Sequence, residues 1–266
     1  MMNKIGNVIT DMLYGLNAKV PIIFIDTLHH FDETLQVSRD LKNKYAVELH
    51  EYRPKGANTR QEFEQLYGKE LWVNDPDSYD YLVKVEPAIR AYNELNPDCV
   101  ITGRRRSQGG ERKSLNIIEI KEVENIRIGN ENEQNADANA NANTGVDSVR
   151  YVVKLNPLAT KVSTSVQPAE LTLPNAGSSD GADGWTFAKI KSYLKAYQVP
   201  YNKLLDNGYK SIGDYHSTQP VGDLEDERSG RWKGSEKSEC GLHKDYFLMK
   251  KAFRERNIQK QKQQVE

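Results

Sequence analysis

"VPIIFIDT" (residues 20–27) carries no polar side chain before Asp26. A strand with one wet face alternates apolar and polar residues. An unbroken apolar run reads instead as a strand covered on both faces, the situation of a parallel sheet. The flanking chain supplies the covers. Ile5, Val8, Ile9, Met12, Leu13 and Leu16 recur at helical spacing. His30–Tyr45 is charged and periodic, a second helix. "AVELHEYRP" (46–54) alternates as a second strand, residues 59–68 and 79–95 are helical again, and "DCVITGRR" (98–105) is a short strand running into a loop. This helix–strand rhythm predicts an α/β fold, a doubly wound and mostly parallel sheet.

Farther on, residues 114–130 read as a pair of strands joined by a short turn, and "VRYVVKLNPL" (149–158) as another strand. The Asn/Ala-rich segment at about 130–147 has nothing to bury and is expected to be a disordered insertion. The Ser/Thr/Gly/Asp-rich stretch 160–183 is expected to be a second one. "WTFAKIKSYLKAYQV" (185–199) is a helix, with Thr186 placed to cap its start. The expected organisation is one domain over 1–247 and a basic, flexible tail over 248–266.

The 266 residues are 37% hydrophobic and 28% charged, with a formal net charge of −1. No global field draws such a chain to nucleic acid or to an anionic membrane, so any anion site must be local. Two cysteines make no disulfide framework. They cannot by themselves supply the four ligands of an iron–sulfur cluster, and no Cys/His group has zinc-finger spacing. This usage fits a reducing, cytoplasmic setting. No apolar run approaches a membrane span, and the N-terminus lacks the features of a signal peptide.

Candidate chemistry gathers at strand ends. Asp26 closes "FIDT", and in open α/β sheets ligands sit beyond the carboxyl ends of strands; an ordinary turn uses the same residue. "TGRRRSQ" (102–108) follows another strand. Its forked guanidinium groups, Arg104 and Arg105 among them, match phosphate or sulfate oxygens beside Gly103 and Ser107. "SIGDYHSTQP" (211–220) offers Gly213, Asp214, His216, Ser217 and Thr218, a loop able to grip a ribose or phosphate or simply to turn. "DERSGRWKG" (226–234) sets Arg228, Arg231 and Lys233 around Trp232. It reads as a charged tail or as a lid that carries cations to an anionic substrate. Cys240 follows. Nearby cations, with His243, would favour its reactive thiolate, and Glu239 works against them. Cys99, in an apolar strand, is expected to be buried and inert.

These segments converge on a known family. "FIDTLHHF", "TGRRRSQGGER", "WTFAKIKSYL", "VPYNKLLDNGYKSIGDYHSTQP", "EDERSGRWKG" and "ECGLH" stand here in the order found in thioredoxin-dependent phosphoadenylyl-sulfate (PAPS) reductases. The chain closely resembles the fungal members over most of 5–247, outside the two insertions. The resemblance implies a PP-loop type α/β sheet and a reaction of sulfate assimilation. Cys240 would attack the sulfur of 3′-phosphoadenylyl sulfate, and reduced thioredoxin would release sulfite from the S-sulfonate. It implies no bound cofactor, no iron–sulfur cluster, and a homodimer. Residue by residue, Arg104, Arg105, Ser107 and Gln108 match the family's substrate loop. Gly213, Asp214, His216 and Thr218 match its second polar loop, and Arg228, Arg231 and Trp232 the segment before the nucleophile. His243 is that nucleophile's neighbour. The related adenylyl-sulfate reductases carry further cysteines for a cluster, which favours the PAPS-using branch here.

The chain departs from the family at its start. "GNVITDML" matches the helix that follows a Ser-Gly-Gly-x-x-Ser loop, so the first parallel strand and that anion cradle are expected to be missing. Neighbouring strands would then have unpaired edges. Two alternatives remain: an inactive remnant that binds nucleotide, and an adenylyl-transferring relative. "ECGLH" speaks against the latter, since adenylyl transfer needs no thiol.

Overall fold

The apolar run at 20–27 forms β1 (Ile22–Ile25), which pairs in parallel with β2 (Leu49–Tyr52) in the computed structural model. The structure describes residues 4–124, 149–159, 184–233, 237, 242 and 246–263. The connection from β1 to β2 is α2 (Asp32–Tyr45), which has acidic residues in its first turn and lysines in its last, the arrangement the helix dipole favours. β3 (Cys99–Ile101) pairs in parallel with β5 (Val149–Leu155), and β4 (Ile118–Glu124) runs antiparallel along the far edge of β5. Of the strand pair expected at 114–130, the described part is β4, which pairs with β5; residues 125–130 lie outside the described residues. The expected insertions at 130–147 and 160–183 lie outside the described residues.

Helices cover both faces. α6 (Glu86–Leu95) lies under the strands: its Ala88 and Ala91 pack on Ile25 and Tyr52, while Tyr92 joins Val123 and Val152, with Ile23 and Val100 alongside. α1 (Lys4–Gly15) and α7 (Phe187–Ala196) form the other layer, with Ile5, Val8 and Ile9 against Ile190, Tyr193 and Leu194, and Ile101 packed beside them. The neighbours Val100 and Ile101 therefore face opposite layers, as successive strand residues must. Thr186 caps α7 by accepting from the Lys189 N–H, as its sequence position predicts.

Among the described residues the two sheets are not hydrogen-bonded to each other. β1 and β3 border a cleft of about 1210 Å³, lined by Ile23, Ile25, Val100 and Ile101 with α1 and α6 on its flanks. Cys99 is exposed, contrary to the expectation of a buried thiol. It opens β3 on the side of this cleft, where no further strand among the described residues covers it.

Between β2 and α6 lie α3 (Arg60–Tyr67), α4 (Leu71–Asn74) and α5 (Pro76–Asp80), then a widened π turn over Tyr81–Val85. The π turn shifts the helix register, and its Lys84 is buried beneath the second polar loop. The C-terminal helix α8 (Tyr246–Gln263) docks on this region. Phe253 stacks on Tyr81 with ring centroids 4.5 Å apart, and Arg256 pairs with Asp75 and Asp77. Among the described residues no helix is long and apolar enough to cross a membrane.

Candidate active site

The arginine loop leaves β3 through Thr102, whose N–H continues the ladder to the Leu155 carbonyl at 2.8 Å. From there the chain turns through two short 3₁₀ segments, Arg106–Gln108 and Gly110–Ser114. Gln108 Oε1 ties the loop by accepting from the Arg105 N–H at 3.1 Å and from Arg112 Nη1 at 2.7 Å. Arg104 is buried and pairs with Glu119 on β4. Arg105 is sealed completely. Its guanidinium donates to the Ser107 hydroxyl and to the Trp185 carbonyl (3.0 Å) and meets Glu227. Ser107 donates to the same Trp185 carbonyl at 2.6 Å.

The second polar loop is built around Asp214. Asp214 is fully buried, accepts from the Thr27 hydroxyl at 2.6 Å and pairs with Lys84 at 2.7 Å. Burial alone would raise its pKa; Lys84 and His30, with the hydrogen bonds from Lys84 and Thr27, outweigh that and hold the carboxyl well below the usual carboxylate range. His216 lies on the Trp72 indole at 4.3 Å, and its Nε2 is 3.0 Å from the Tyr79 hydroxyl. Burial pushes this imidazole down to about 4, so it is neutral at pH 7. Thr218 Oγ1 donates to the Asp214 carbonyl and accepts from the Gly213 N–H, closing the loop on itself.

The segment before the cysteine is fastened to this loop. Thr218 and Arg231 form an antiparallel bridge, the Gln219 N–H donates to the Gly230 carbonyl at 2.8 Å, and the Trp232 N–H to the Ser217 carbonyl at 3.0 Å. Gly213 lets the Arg231 guanidinium come close: an added Cβ would stand 2.2 Å from it. Arg231 and Arg228 both lie over the Trp232 ring, at 4.3 and 5.4 Å. Gly103, Arg104, Gln108, Arg228, Arg231 and Trp232 line one end of the large cleft, together with Lys4 and Glu227.

Asp26 stands apart from these cations. Its carboxylate accepts from the Leu28 N–H at 3.0 Å and pairs with Arg53 at 3.1 Å, so in this structure it shapes the turn after β1. Cys240 and His243 lie outside the described residues. Lys237, on one side of Cys240, pairs with Asp80; Leu242, on the other, packs against the cluster formed by β1, β2 and α6. Among the described residues no group of His, Cys, Asp and Glu is arranged to hold a metal ion.

The sequence reasoning did not single out Lys4, Lys84 or Glu227. Lys84 and Lys4 sit in helical stretches where a lysine normally reads as solvated, and only their burial distinguishes them. Glu227 lies inside the quoted "DERSGRWKG" segment, but nothing in spacing separates it from the acidic residues beside it.

With this geometry established, comparison with known proteins is direct. Residues 2–168 and 183–220 match the family model described as "Phosphoadenosine phosphosulfate reductase domain". The chain is 43% identical to the phosphoadenosine phosphosulfate reductase of Emericella nidulans over 90% of its own length, and spans 63% of that protein. It is 42% identical to the Saccharomyces cerevisiae enzyme of the same name, again over 90% of this chain and 75% of the relative. Among solved structures it resembles the PAPS reductase of Candida auris in a phosphate complex, with a TM-score of 0.56, 35% identity, and coverage of 82% of this chain and 79% of that one. The chain belongs to the phosphoadenosine phosphosulfate reductase family.

Proposed function

We propose that the chain reduces 3′-phosphoadenylyl sulfate to sulfite and adenosine 3′,5′-bisphosphate in sulfate assimilation, with thioredoxin as the reductant. The observation that carries this reading is the convergence of the three motif segments, 102–108, 211–220 and 226–232, at one cationic end of a large cleft. Their relatives carry the reductase name, and a solved relative is a phosphate complex.

In this reading Arg104, Arg105, Ser107, Gln108, Gly213, Asp214, His216, Thr218, Arg228, Arg231 and Trp232 build the substrate site, some by contact and some by holding those that touch. Asp26 contributes by fixing the turn after β1. The Cys240 thiolate attacks the sulfonyl sulfur. The sulfur–oxygen bond to the nucleotide breaks, and the bisphosphate leaves with the electron pair. Cations around the cleft offset the charge that gathers on the leaving phosphate. One thiolate of thioredoxin then attacks the Cys240 sulfur and expels sulfite; its second thiol resolves the mixed disulfide and restores the Cys240 thiolate. His243, three positions from the nucleophile, favours the thiolate. The dithiol supplies both electrons, so the step needs neither a bound cofactor nor an iron–sulfur cluster. We place the protein in the cytoplasm, where thiols stay reduced, and propose a homodimer.

The decisive experiment is intact-protein mass spectrometry of the pre-reduced chain mixed with PAPS in the absence of thioredoxin. The expected product is a sulfonate adduct mapped to Cys240 and removed by reduced thioredoxin, with no adduct on Cys240→Ser. A folded chain that gives no adduct would sink the proposal.

A further inference from the structure

Glu227 holds an unusual place. Its loop is otherwise at the surface: Gly222–Asp226 and Ser229 are exposed, and Leu224 projects fully into solvent. Yet the Glu227 side chain is only 6% exposed. It reaches inward: its Oε1 is 2.8 Å from Lys4 Nζ, and its Oε2 accepts from the Arg105 guanidinium. Among the described residues the loop is also held by turn bonds of its own, the Glu225 N–H to the Gly222 carbonyl and the Ser229 N–H and hydroxyl to the Asp226 carbonyl, and by a lysine outside it. Lys210 donates to the Asp223 and Glu225 carbonyls, and the Gly222 N–H donates to the Glu225 side chain.

The cations outnumber this acid. Arg105 and Arg228 act on Lys4, and Arg112 acts on Arg105. Arg105 Nε has no hydrogen-bond partner among the described residues. A fork of guanidinium donors and an ammonium around two oxygens is the geometry that also fits one edge of a phosphate or sulfate. A carboxylate that only balanced charge would sit well on a rigid element. This one hangs from an exposed loop, next to Arg228, a residue assigned to the substrate site.

We infer that Glu227 is an internal stand-in for the anionic ligand: its carboxylate occupies part of the cationic cradle, and the 222–229 loop must withdraw it before phosphate or sulfate oxygens can take its place. The empty cradle is thereby kept neutralised, and binding is coupled to movement of the segment that leads to Cys240. This inference rests on the anion-site reading of the Arg105 loop and deepens it.

The test compares inorganic phosphate binding to the wild-type chain and to Glu227→Gln, by calorimetry and by the phosphate-dependent rise in melting temperature. A competitor removed should tighten phosphate by about tenfold or more, the scale of one charge-assisted contact. Equal or weaker binding by a folded Glu227→Gln chain overturns the inference and makes Glu227 a structural counter-ion. Should the glutamine variant not fold, Glu227→Asp keeps the charge but withdraws it by one methylene, and must also bind phosphate more tightly. Adenosine 3′,5′-bisphosphate separates this from the reaction proposed above. Bisphosphate binding without a gain for phosphate in the variant leaves the reductase reading standing and the stand-in rejected. A gain for phosphate in the variant with no bisphosphate binding by either chain does the reverse.

Discussion

Lys84 Nζ and Asp214 Oδ2 stand 2.7 Å apart, with side chains 1% and 0% exposed. Lys84 also holds Asp80 at 2.9 Å, and Asp214 also holds the Thr27 hydroxyl. One buried pair thus links the π turn, the end of β1 and the second polar loop. Breaking a buried pair leaves an uncompensated charge. Lys84→Met and Asp214→Asn should each destabilise the chain by about 3–5 kcal/mol in chemical denaturation. Lys84→Met/Asp214→Leu should recover part of that loss, because no orphaned charge remains between the two sites. A double variant as unstable as the sum of the singles would contradict this.

His216 makes stability depend on pH. Its folded pKa is about 4 against an ordinary 6.5, lowered by burial. The unfolded chain therefore takes up a proton between pH 6.5 and 4 that the folded chain refuses. Stability is complete above pH 6.5 and falls as pH drops toward 4. For this one group the loss is at most about 3 kcal/mol. His29 and His30 are shifted the same way by burial, so the slope persists but lessens in His216→Gln. Denaturation midpoints at pH 7, 6, 5 and 4.5 give the comparison; parallel curves for the two chains would remove His216 as a contributor.

Much of this was legible in the residues. The apolar run at 22–25 could be read as a two-face-covered strand because period and burial agree there. The helices at 5–16, 30–45 and 185–199 announced themselves by spacing and capping. What was not legible depended on distance in sequence. Lys4 and Glu227 are far apart along the chain, and no local pattern says that a lysine in a first helical turn will be buried against a loop acid. Cys99 was misjudged for a related reason. An apolar strand buries a thiol only when a neighbour covers that edge, and pairing partners are set by topology, which composition does not carry. Likewise, no local pattern says that β4, read from residues 114–130, pairs with β5, which lies beyond a long insertion.

Two glycines near the site predict different costs. An added Cβ at Gly230 would stand 2.2 Å from the Gln219 carbonyl, a backbone atom held in the bridge between the two segments. At Gly213 the obstacle is the Arg231 guanidinium, the end of a long side chain. Backbone cannot step aside without breaking its hydrogen bonds; a guanidinium can. Gly230→Ala should therefore destabilise by about 2 kcal/mol or more, in the range of overpacking and lost bridge bonds. Gly213→Ala should cost about 1 kcal/mol in stability but displace Arg231, weakening bisphosphate binding by about tenfold. Equal stability losses with unchanged binding would show that Arg231 does not move.

Lys4 offers a proton-linked signature of anion binding. Burial lowers its ammonium to about 8, with Glu227 opposing and Arg105 and Arg228 assisting. Near pH 8, then, a large share of chains carry Lys4 neutral. A sulfate or phosphate dianion brought into the cradle adds negative charge beside it and raises that pKa. Binding should therefore take up protons at pH 8 to 8.5, and much less at pH 6.5, where Lys4 is already charged. Sulfate is the suitable probe because it does not itself titrate in this range. Calorimetry in two buffers of different ionisation enthalpy reads the uptake directly. Lys4→Met, which cannot be protonated but can still lie against the Phe187 ring that the ammonium covers, should abolish it. Uptake of the same size in that variant would assign the proton to another group and separate Lys4 from the anion site.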